Sequence, residues 1–425
     1  MSPPSLQKHD LAGKRIIVSG AGLSGLAFVC ALERYWSHDH PKPELVVYER
    51  SAAVLDRKRE GYTMNIKPES GLHALEELGL LEAALSNSTV GTNGIQPLPT
   101  FWTKEWKPML DLNTPEKLKQ ASQGKGNTTI RLVRHVLRDI LLDSVPAHIK
   151  IHWERGCSSA QVLEGGRMRI DLNDGSYDEC DLLIAADGAN SKVRSVLLPD
   201  ETLSYTGANC IMGTSRFPSG KPEILRENWG MSISGRGVPF LTFPVDQTTG
   251  VWALTYKSGQ PRKRIRGDEA AERKGEILAE VRERGNMFHE PFNQFVEATD
   301  PLTLQVFSAM HKYPIDHAQK LSHANVILIG DANHPMSPFS GNGANMALLD
   351  AVVLAQQLST CSSLRTAVET FDEESIPRSQ KAIDRSHWTI ELLHARGVKF
   401  WILRCFLVFV SLFIRLKMLL NSFKS

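Results

Sequence analysis

Residues 14–35, KRIIVSGAGLSGLAFVCALERY, decide the fold of this 425-residue chain. The apolar run at residues 14–18 is typical of a buried parallel strand. The glycine turn GAGLSG follows at residues 20–25, and residues 26–35 have the pattern of a helix. A strand, a G-x-G-x-x-G turn and a helix in this order predict a Rossmann-like dinucleotide-binding unit. A plain tight turn is the alternative explanation of the three glycines, and the strand and helix on either side disfavour it.

The residues of this turn have separate roles in such a unit. Gly20 permits the tight turn, Gly22 lets the backbone approach a pyrophosphate, and Gly25 lets the helix pack closely on the strand. Leu23 and Ser24 belong to the turn just before the predicted helix, whose N-terminal N–H groups and dipole attract phosphate. The turn is therefore a candidate pyrophosphate site.

A second predicted strand, residues 45–48, leads into Glu49 and Arg50. An acidic residue at the end of this strand can accept hydrogen bonds from an adenosine ribose. Glu49 lies somewhat further from Gly25 than the usual ~20 residues. The polar insert at residues 36–43 accounts for the excess as a loop. Glu49 is therefore the candidate ribose ligand.

Composition limits the class of protein. The chain is 42% hydrophobic and 23% charged, as in ordinary globular proteins, and its length favours two intertwined domains. A net charge of +2 does not indicate a nucleic-acid partner. The six cysteines include no C-x-x-C pair, which argues against a metal site or a disulfide framework and favours a reducing compartment. Because residues 1–13 lack the apolar core of a secretory signal, a cytoplasmic location is expected.

Two later motifs follow apolar strands in the same way. DGANSKVR, residues 187–194, comes after the apolar run at residues 182–186. GDANHPMSPFSGNGANMALLDA, residues 330–351, comes after the apolar run at residues 326–329. In open α/β sheets, ligands gather beyond the carboxyl ends of the strands. Asp187 is therefore a candidate nucleotide contact, with a plain Asp-Gly turn as the alternative.

The third motif combines a carboxylate with glycine residues, whose backbone has no side chain to keep a ligand away. Asp331 is placed to accept a hydrogen bond from a ribityl hydroxyl. Pro338, Gly341 and Gly343 would bring the backbone close to a flat ligand. The helix predicted from about Gly343 would direct its N-terminus at that ligand and stabilise negative charge there. His334 suggests a general base, but a structural role is favoured.

The three motifs resemble, in the expected order, the fingerprints of the class A flavoprotein monooxygenases, the p-hydroxybenzoate hydroxylase-like group. The resemblance covers residues 14–360 and is closest to tetracycline-inactivating monooxygenases and fungal tailoring enzymes. It implies non-covalently bound FAD, NAD(P)H as co-substrate, and transfer of one oxygen atom from O2 to a lipophilic small molecule, in natural-product tailoring or drug inactivation. Hydroxylation, epoxidation and Baeyer–Villiger oxidation remain open, as does the choice between NADH and NADPH.

The resemblance also implies roles for individual residues. Glu49 would bind the adenosine ribose, Arg134 would reach the FAD from its helix, and Asp331 would bind the ribityl chain. A solvated helix charge is the alternative for Arg134, because Arg131 and Arg138 lie nearby. No catalytic residue and no metal ligand is assigned. The implied cofactor-binding residues are Gly20, Gly22, Leu23, Ser24, Gly25, Glu49, Arg50, Gly61, Arg134, Asp187, Asp331, Pro338, Gly341, Gly343, Ala344 and Asn345.

The expected fold is α/β: a Rossmann-like FAD-binding domain, an inserted, mainly antiparallel β-sheet substrate domain and a C-terminal helical segment. Residues 61–65 resemble the strand that runs beneath the flavin in the family. Helices are predicted over residues 70–85 and 130–142. The predicted divisions are 14–88, 129–200 and 306–370 for the FAD-binding domain, 89–128 and 201–305 for the substrate domain, and 371–425 for the C-terminal helices.

Aromatic residues of the middle region are candidates for an apolar substrate pocket, with a place in the core as the equal alternative. Some members of the resembled family ionise a phenol with an Arg and a Tyr from this region. Only Tyr205 and Arg216 are candidates for that pair, by residue type alone, so a phenolic substrate is not predicted. The aromatic candidates are Trp229, Phe240, Phe243, Trp252 and Tyr256.

The C-terminal segment is basic and apolar. Residues 392–425 contain six Lys or Arg and no Asp or Glu, and residues 405–414 contain no charge. This uncharged run is far shorter than the ~20 residues that span a bilayer. The pattern predicts either an interfacial helix on a membrane surface, which would suit a lipophilic substrate, or a helix packed on the enzyme itself.

Other functions compete with a monooxygenase. A flavin dehydrogenase, oxidase or reductase on the same fold would form no oxygenated product. A flavin halogenase is disfavoured because the chain has no W-x-W-x-I-P-like segment. A non-enzymatic prenyl-protein escort on a related scaffold would need no flavin. The sequence leaves the oligomeric state open.

Overall fold

The computed structural model describes residues 9–53, 63–88, 99–111, 129–226 and 229–422. Gly61, one of the predicted cofactor contacts, lies outside these ranges, as does the start of the predicted strand at residues 61–65.

The strands belong to four sheets. In chain order they are β1 (Arg15–Ser19), β2 (Glu44–Tyr48), β3 (Thr63–Ile66), β4 (Thr100–Thr103), β5 (Pro108–Asp111), β6 (Ile130–Val133), β7 (Lys150–His152), β8 (Cys157–Val162), β9 (Met168–Leu172), β10 (Tyr177–Cys180), β11 (Leu182–Ala185), β12 (Ser204–Arg216), β13 (Gly230–Ile233), β14 (Pro239–Pro244), β15 (Thr249–Lys257), β16 (Ile265–Arg266), β17 (Gln305–His311) and β18 (Val326–Leu328).

The helices range from single turns to one of 30 residues. In chain order they are α1 (Leu23–Tyr35), α2 (His73–Glu77), α3 (Leu81–Ser86), α4 (Arg134–Asp143), α5 (Lys192–Leu197), α6 (Glu223–Arg226), α7 (Asp268–Glu272), α8 (Lys274–Gly285), α9 (Phe292–Glu297), α10 (His317–Lys320), α11 (Gly343–Thr360), α12 (Leu364–Leu393) and α13 (Gly397–Ser422). A π-helical turn covers Pro68–Leu72, and 3-10 turns cover Glu164–Gly166, Pro301–Thr303, Gly330–Ala332 and Pro338–Ser340.

The first sheet is parallel, with the strand order β18-β11-β1-β2-β7. Its strands are largely apolar because both faces are covered. One face packs on α1 and α11 in a core that includes Phe28 and Leu354, and the other packs on the antiparallel sheet β10-β9-β8 through Ile17 and Ile170. The three motifs directly follow β1, β11 and β18, so they meet at one edge of this sheet.

The largest sheet has the strand order β16-β17-β12-β15-β14-β13-β4-β5 and is antiparallel except between β13 and β4. Its inner face packs on α7, α8 and α9. Its other face carries a smaller apolar cluster that includes Leu241 and Ala253, with Met212, Met231 and Phe243 packed against it. We call this second side the open face. Together with the parallel sheet and the C-terminal helices, this sheet confirms the predicted fold class.

The five aromatic candidates are divided between the two faces. Phe240, Trp252 and Tyr256 belong to the core beneath α7, α8 and α9, and the first two are 0% exposed. Of the two alternatives, a place in the core is therefore the correct one for these three residues. Trp229 and Phe243 pack on each other with ring centres 5.6 Å apart, and Phe243 belongs to the open face.

Two predicted helices differ from the structure. Residues 130–133 form strand β6, which pairs antiparallel with β3, and the helix begins only at Arg134. A short apolar run is compatible with either a strand or a helix turn. Here the run forms a strand because β3 is available to pair with it. The helix predicted over residues 70–85 is divided because Gly79 adopts φ 73°, which ends α2 before α3 begins.

The C-terminal helical segment consists of α12 and α13. Within α13, Gly397–Leu416 is long and apolar enough to cross a membrane by length and composition, which is weak evidence by itself. Leu407 is buried, whereas Val398 is 74% exposed and Phe409 is 66% exposed. One side of α13 therefore packs on the protein and the other side does not.

Candidate cofactor and substrate site

The glycine turn fixes β1 against the end of β11. A Cβ added to Gly20, which has φ 112°, would lie 2.4 Å from the carbonyl oxygen of Ala186. A Cβ added to Gly25 would lie 2.0 Å from the carbonyl oxygen of Gly20. By contrast, a Cβ added to Gly22 would meet no described protein atom within 4 Å. Because α1 begins at Leu23 with no side-chain cap and no acidic residue in its first turn, its N-terminus is suited to an anionic ligand.

Glu49 supports this turn from the end of β2. Its carboxylate accepts hydrogen bonds from the N–H of Ala21 at 2.7 Å and from the N–H of Ser51 at 2.8 Å. Arg50 beside it is exposed. Arg138, grouped in sequence with solvated helix charges, is instead buried and donates from Nε to the carbonyl of Ala21 at 3.0 Å. The N–H and the carbonyl of Ala21 are thus hydrogen-bonded by Glu49 and Arg138, respectively.

The second motif is tied to the third by an arginine. Asp187 Oδ2 accepts from the N–H of Lys192 at 2.7 Å, whereas its Oδ1 is buried and has no hydrogen-bond partner among the described residues. Burial raises the pKa of Asp187. Arg194 donates to the carbonyl of Ala189 and to the carbonyl of Ala332, each at 2.5 Å. The two motif turns are therefore fixed relative to each other.

Asp331 lies at the N-terminus of α11. A Cβ added to Gly343 would lie 3.9 Å from Asp331 Oδ1. The Asp331 side chain reaches solvent on one side, yet the protein around it raises the pKa of its carboxyl, and His334, Arg134 and Arg194 oppose that rise. Arg134, the first residue of α4, is thus close enough to Asp331 for their charges to interact.

The first and third motifs approach each other closely at Ser24. A Cβ added to Gly330, which has φ 56°, would lie 3.0 Å from Ser24 Oγ. Leu23 and Ser24 are themselves buried at the start of α1. The glycine turn and the turn that carries Asp331 are therefore in direct contact.

His334 belongs to a buried ionic network. Its Nε2 lies 2.5 Å from Asp350 Oδ2, which also accepts from the N–H of Gly330 at 3.0 Å. Ser375 and Arg378 donate to Asp350 Oδ1 at 2.9 Å and 2.6 Å. Burial alone would raise the pKa of Asp350, but His334 and Arg378 outweigh it and hold that pKa well below its usual range. These contacts support the structural role favoured for His334.

Asn345 connects β3 to the loop before α11. Its Nδ2 donates to the carbonyl of Asn65 at 2.8 Å and to that of Gly341 at 3.1 Å. Its Oδ1 accepts from the N–H of Lys67 at 2.8 Å and of Gly71 at 3.2 Å. The side chain of Asn345 is therefore engaged with the protein, and it holds the backbone of Gly341, which has φ 60°, beside β3.

Arg131 is a site residue that the sequence did not reveal. It is 4% exposed, and its guanidinium donates to Asn65 Oδ1 at 2.8 Å and to the Thr63 hydroxyl. The same guanidinium lies 4.3 Å from the ring centre of Phe243 and 5.6 Å from that of Trp229. Burial lowers the pKa of Arg131 to about 9, which leaves it charged at neutral pH. Arg131 therefore joins β3 to the open face of the large sheet.

These features fit FAD. The space in front of Gly22 and the N-terminus of α1 suit a pyrophosphate, and the carboxylate of Asp331 suits a polyol chain. Oδ1 of Asp187 is a buried acceptor suited to a hydroxyl or N–H donor. Pro338 is exposed and Ala344 is half-buried where the loop meets α11. Within the ranges that the structure describes, no cluster of His, Cys, Asp and Glu could hold a metal ion.

Tyr205 and Arg216 cannot act as a pair on one substrate. They lie near opposite ends of β12, and a strand rises ~3.3 Å per residue, which separates them by roughly 35 Å. Arg216 instead pairs with Asp300 at 3.2 Å. The two residues therefore give no support to a phenol-ionising pair.

Comparison with known proteins points to the same cofactor. A family model described as an FAD binding domain matches residues 167–386. The chain is 37% identical over 399 residues to the monooxygenase cfoF of Aspergillus candidus, which covers 91% of this chain and 93% of that protein.

Solved structures share the fold. One is HpxO of Klebsiella pneumoniae complexed with FAD and uric acid, with a TM-score of 0.72, 19% identity, and coverage of 92% of this chain and 91% of that one. Another is the tetracycline destructase Tet(55), with a TM-score of 0.68, 18% identity, and coverage of 95% and 96% of the two chains.

Proposed function

Because this chain belongs to the FAD-dependent monooxygenases, we propose that it transfers one oxygen atom from O2 to a lipophilic small molecule, by hydroxylation or epoxidation. FAD, reduced by NAD(P)H, supplies the oxygen-activating redox chemistry. The protein binds and orients the substrate and excludes water from the site. Membership in this family removes the non-enzymatic escort as an alternative.

The cofactor residues of the proposal are those of the three motifs. Glu49 binds the adenosine ribose, the α1 N-terminus and Gly22 bind the pyrophosphate, and Asp331 binds the ribityl chain. The N-terminus of α11, behind Gly343, faces the flavin ring and stabilises negative charge there. The geometry at the common edge of the parallel sheet supports this assignment.

The proposed substrate class rests on the position of Arg131. This residue touches Asn65 on β3, beside Gly341, and Phe243 on the open face. The open face of thioether, aliphatic and aromatic side chains is therefore adjacent to the strand that resembles the one beneath the flavin. An apolar surface with one buried cation at its margin suits a lipophilic molecule with a polar or acidic oxygen.

The exposed side of α13 supports a second part of the proposal, association of the enzyme with a membrane surface. Apolar side chains such as Val398, Ile402 and Phe409 are more than half exposed. Lys and Arg are the only charged residues from position 392 to the end. An enzyme held at a membrane surface would meet a lipophilic substrate where that substrate is concentrated.

The function is tested with purified, flavin-loaded protein. Candidate lipophilic substrates are screened for stimulation of NADH or NADPH oxidation, and products are analysed by mass spectrometry under ¹⁸O2. Incorporation of one labelled oxygen is expected. Substrate oxidation without label in the product would instead indicate a dehydrogenase or oxidase on the same fold.

A further inference from the structure

Helix α13 has two apolar sides with different surroundings. Phe400, Leu403, Leu407, Val410 and Ile414 recur at intervals of three and four residues and pack into a cluster that includes Leu110 of β5 and Ile233 of β13. This spacing forms one continuous stripe along a helix. Because the stripe extends to Ile414, α13 lies along the enzyme instead of projecting away from it.

The opposite side of α13 is apolar and exposed. Its side chains are Val398 at 74% exposure, Trp401 at 56%, Ile402 at 65%, Phe406 at 61%, Phe409 at 66%, Leu412 at 59%, Phe413 at 59% and Leu416 at 55%. A contiguous apolar patch of this kind marks a protein or membrane contact. Since the other side is docked, the exposed side can enter one leaflet only, with the helix lying in the plane of the membrane.

A cavity of about 360 Å³ lies beside the first turns of α13. The β4–β5 turn contributes Lys104 and Glu105, the β13–β14 turn contributes Arg236, and α13 contributes Trp401 and Arg404. The Arg404 guanidinium lies 5.0 Å from the ring centre of Trp401. Glu105 pairs with Lys104 at 3.7 Å. The charges that line the cavity are therefore mainly positive, at the border of the exposed apolar side.

The charge pattern distinguishes a membrane from a second copy of this chain. Two copies packed through this side would bring Arg404 and Arg415 of each helix toward those of the other, and residues 392–425 contain no Asp or Glu side chain to neutralise them. An anionic leaflet attracts the same residues. Tryptophan and arginine at the border of an apolar helix side also suit the depth of lipid headgroups.

We propose that this cavity binds the phosphate of an anionic phospholipid headgroup while the exposed side of α13 enters the same leaflet. Arg236 and Arg404 hold the phosphate, and Trp401 lies at the headgroup boundary. The inference rests on the membrane association proposed above, and it adds a defined lipid site to it.

The first test measures binding of full-length, flavin-loaded protein to vesicles of phosphatidylcholine, with and without phosphatidylglycerol. The variant Arg236→Gln/Arg404→Gln is expected to lose more than roughly 30-fold in affinity for the anionic vesicles, because diffuse attraction alone contributes about 1 kcal/mol for each of the two basic residues and the loss of the headgroup contacts adds to it. The matched control Lys399→Gln/Arg415→Gln removes the same charge from α13 outside the cavity and should lose clearly less. Equal losses in the two double variants would replace the site with diffuse attraction and overturn the proposal.

A second measurement tests the insertion of α13. Brominated phosphatidylcholine in the anionic vesicles should quench tryptophan fluorescence in the wild type and quench it less in Trp401→Phe. Identical quenching in both proteins would contradict insertion. Light scattering without vesicles tests whether a second copy of the chain covers this side instead of a membrane. A dimer in the wild type that dissociates in Phe409→Glu would overturn the proposal. Oxygenation measured in detergent reports separately on the proposed catalytic function.

Discussion

The Arg131 guanidinium lies 4.3 Å from the ring centre of Phe243. The cation thus faces an aromatic ring of the large sheet, while its donors reach Asn65 and Thr63 on β3. Burying a charge destabilises the folded protein unless the charged group is paired or hydrogen-bonded. Arg131 therefore forms the contact between β3 and the open face of the large sheet.

Replacing Arg131 by Lys should impair turnover more than cofactor binding. Lysine keeps the charge but loses the planar group that stacks on Phe243 and donates along its edge. In the proposed complex the polar oxygen of the substrate would lose a charged contact worth about 1.5–3 kcal/mol, so kcat/KM should fall roughly 10- to 100-fold while FAD content is retained. Arg169→Lys is the matched control, since Arg169 stacks on Tyr177 at 4.0 Å far from the site. An unchanged kcat/KM in Arg131→Lys would refute the role.

Gly22 and Gly20 should respond differently to a side chain. Gly22→Val should abolish FAD binding and leave the stability of the flavin-free protein nearly unchanged, because its Cβ meets no described atom within 4 Å. Gly20→Ala should destabilise the flavin-free protein, since its Cβ would lie 2.4 Å from the carbonyl oxygen of Ala186. Flavin titration and thermal unfolding of both variants check this. Tight FAD binding by Gly22→Val would place the pyrophosphate elsewhere.

Asp331→Ala should weaken FAD binding by about 1–3 kcal/mol, the effect of losing a charged hydrogen-bond partner. Asp331→Asn should lie between this variant and the wild type, because an amide oxygen still accepts. Asp200→Ala removes an exposed carboxylate and serves as the control. Isothermal titration of flavin-free protein gives the affinities, and wild-type affinity in Asp331→Ala would remove this residue from the site.

His334→Ala should lower stability and leave the chemistry largely intact. Removing one partner of a buried charged network costs about 3–5 kcal/mol, which denaturant unfolding will show. In the folded, flavin-loaded fraction, turnover should stay near that of His323→Ala, which alters an exposed histidine. Complete loss of oxygenation with FAD still bound and reducible would instead make His334 a catalytic residue.

His394 should make stability fall in mild acid. Burial lowers its pKa to about 4 from the ordinary 6.5, and its Nε2 lies 3.0 Å from the Thr255 hydroxyl. Below pH 6.5 the unfolded chain binds a proton that the folded protein does not. Stability is therefore lost as the pH falls from 6.5 to about 4, by on the order of 3 kcal/mol. His394→Gln should lose less over this interval, whereas His38→Gln should behave as the wild type.

Local patterns predicted the parallel sheet and the edge where the motifs meet. Apolar runs followed by glycine turns are short-range signals, and parallel strands necessarily share one carboxyl edge. The features that the sequence did not predict depend on contacts between residues that are far apart in the chain. Arg131 looked like one of several helix charges until β6 was paired with β3 and Phe243 was packed beside it. Likewise, the alternation of β14 directs Phe240 to the core and Phe243 to the open face, a choice that depends on which helices cover the sheet.

The hydrogen bonds of Asn345 have a consequence for how the cofactor is acquired. One neutral amide joins β3, the π-helical turn and the loop ending at Gly341, and none of these bonds requires a ligand. The proposed surface for the flavin ring is therefore shaped during folding of the chain itself. We therefore expect that the flavin can be removed and rebound in a single bimolecular step, and that analogues altered at the ring bind without refolding of the protein.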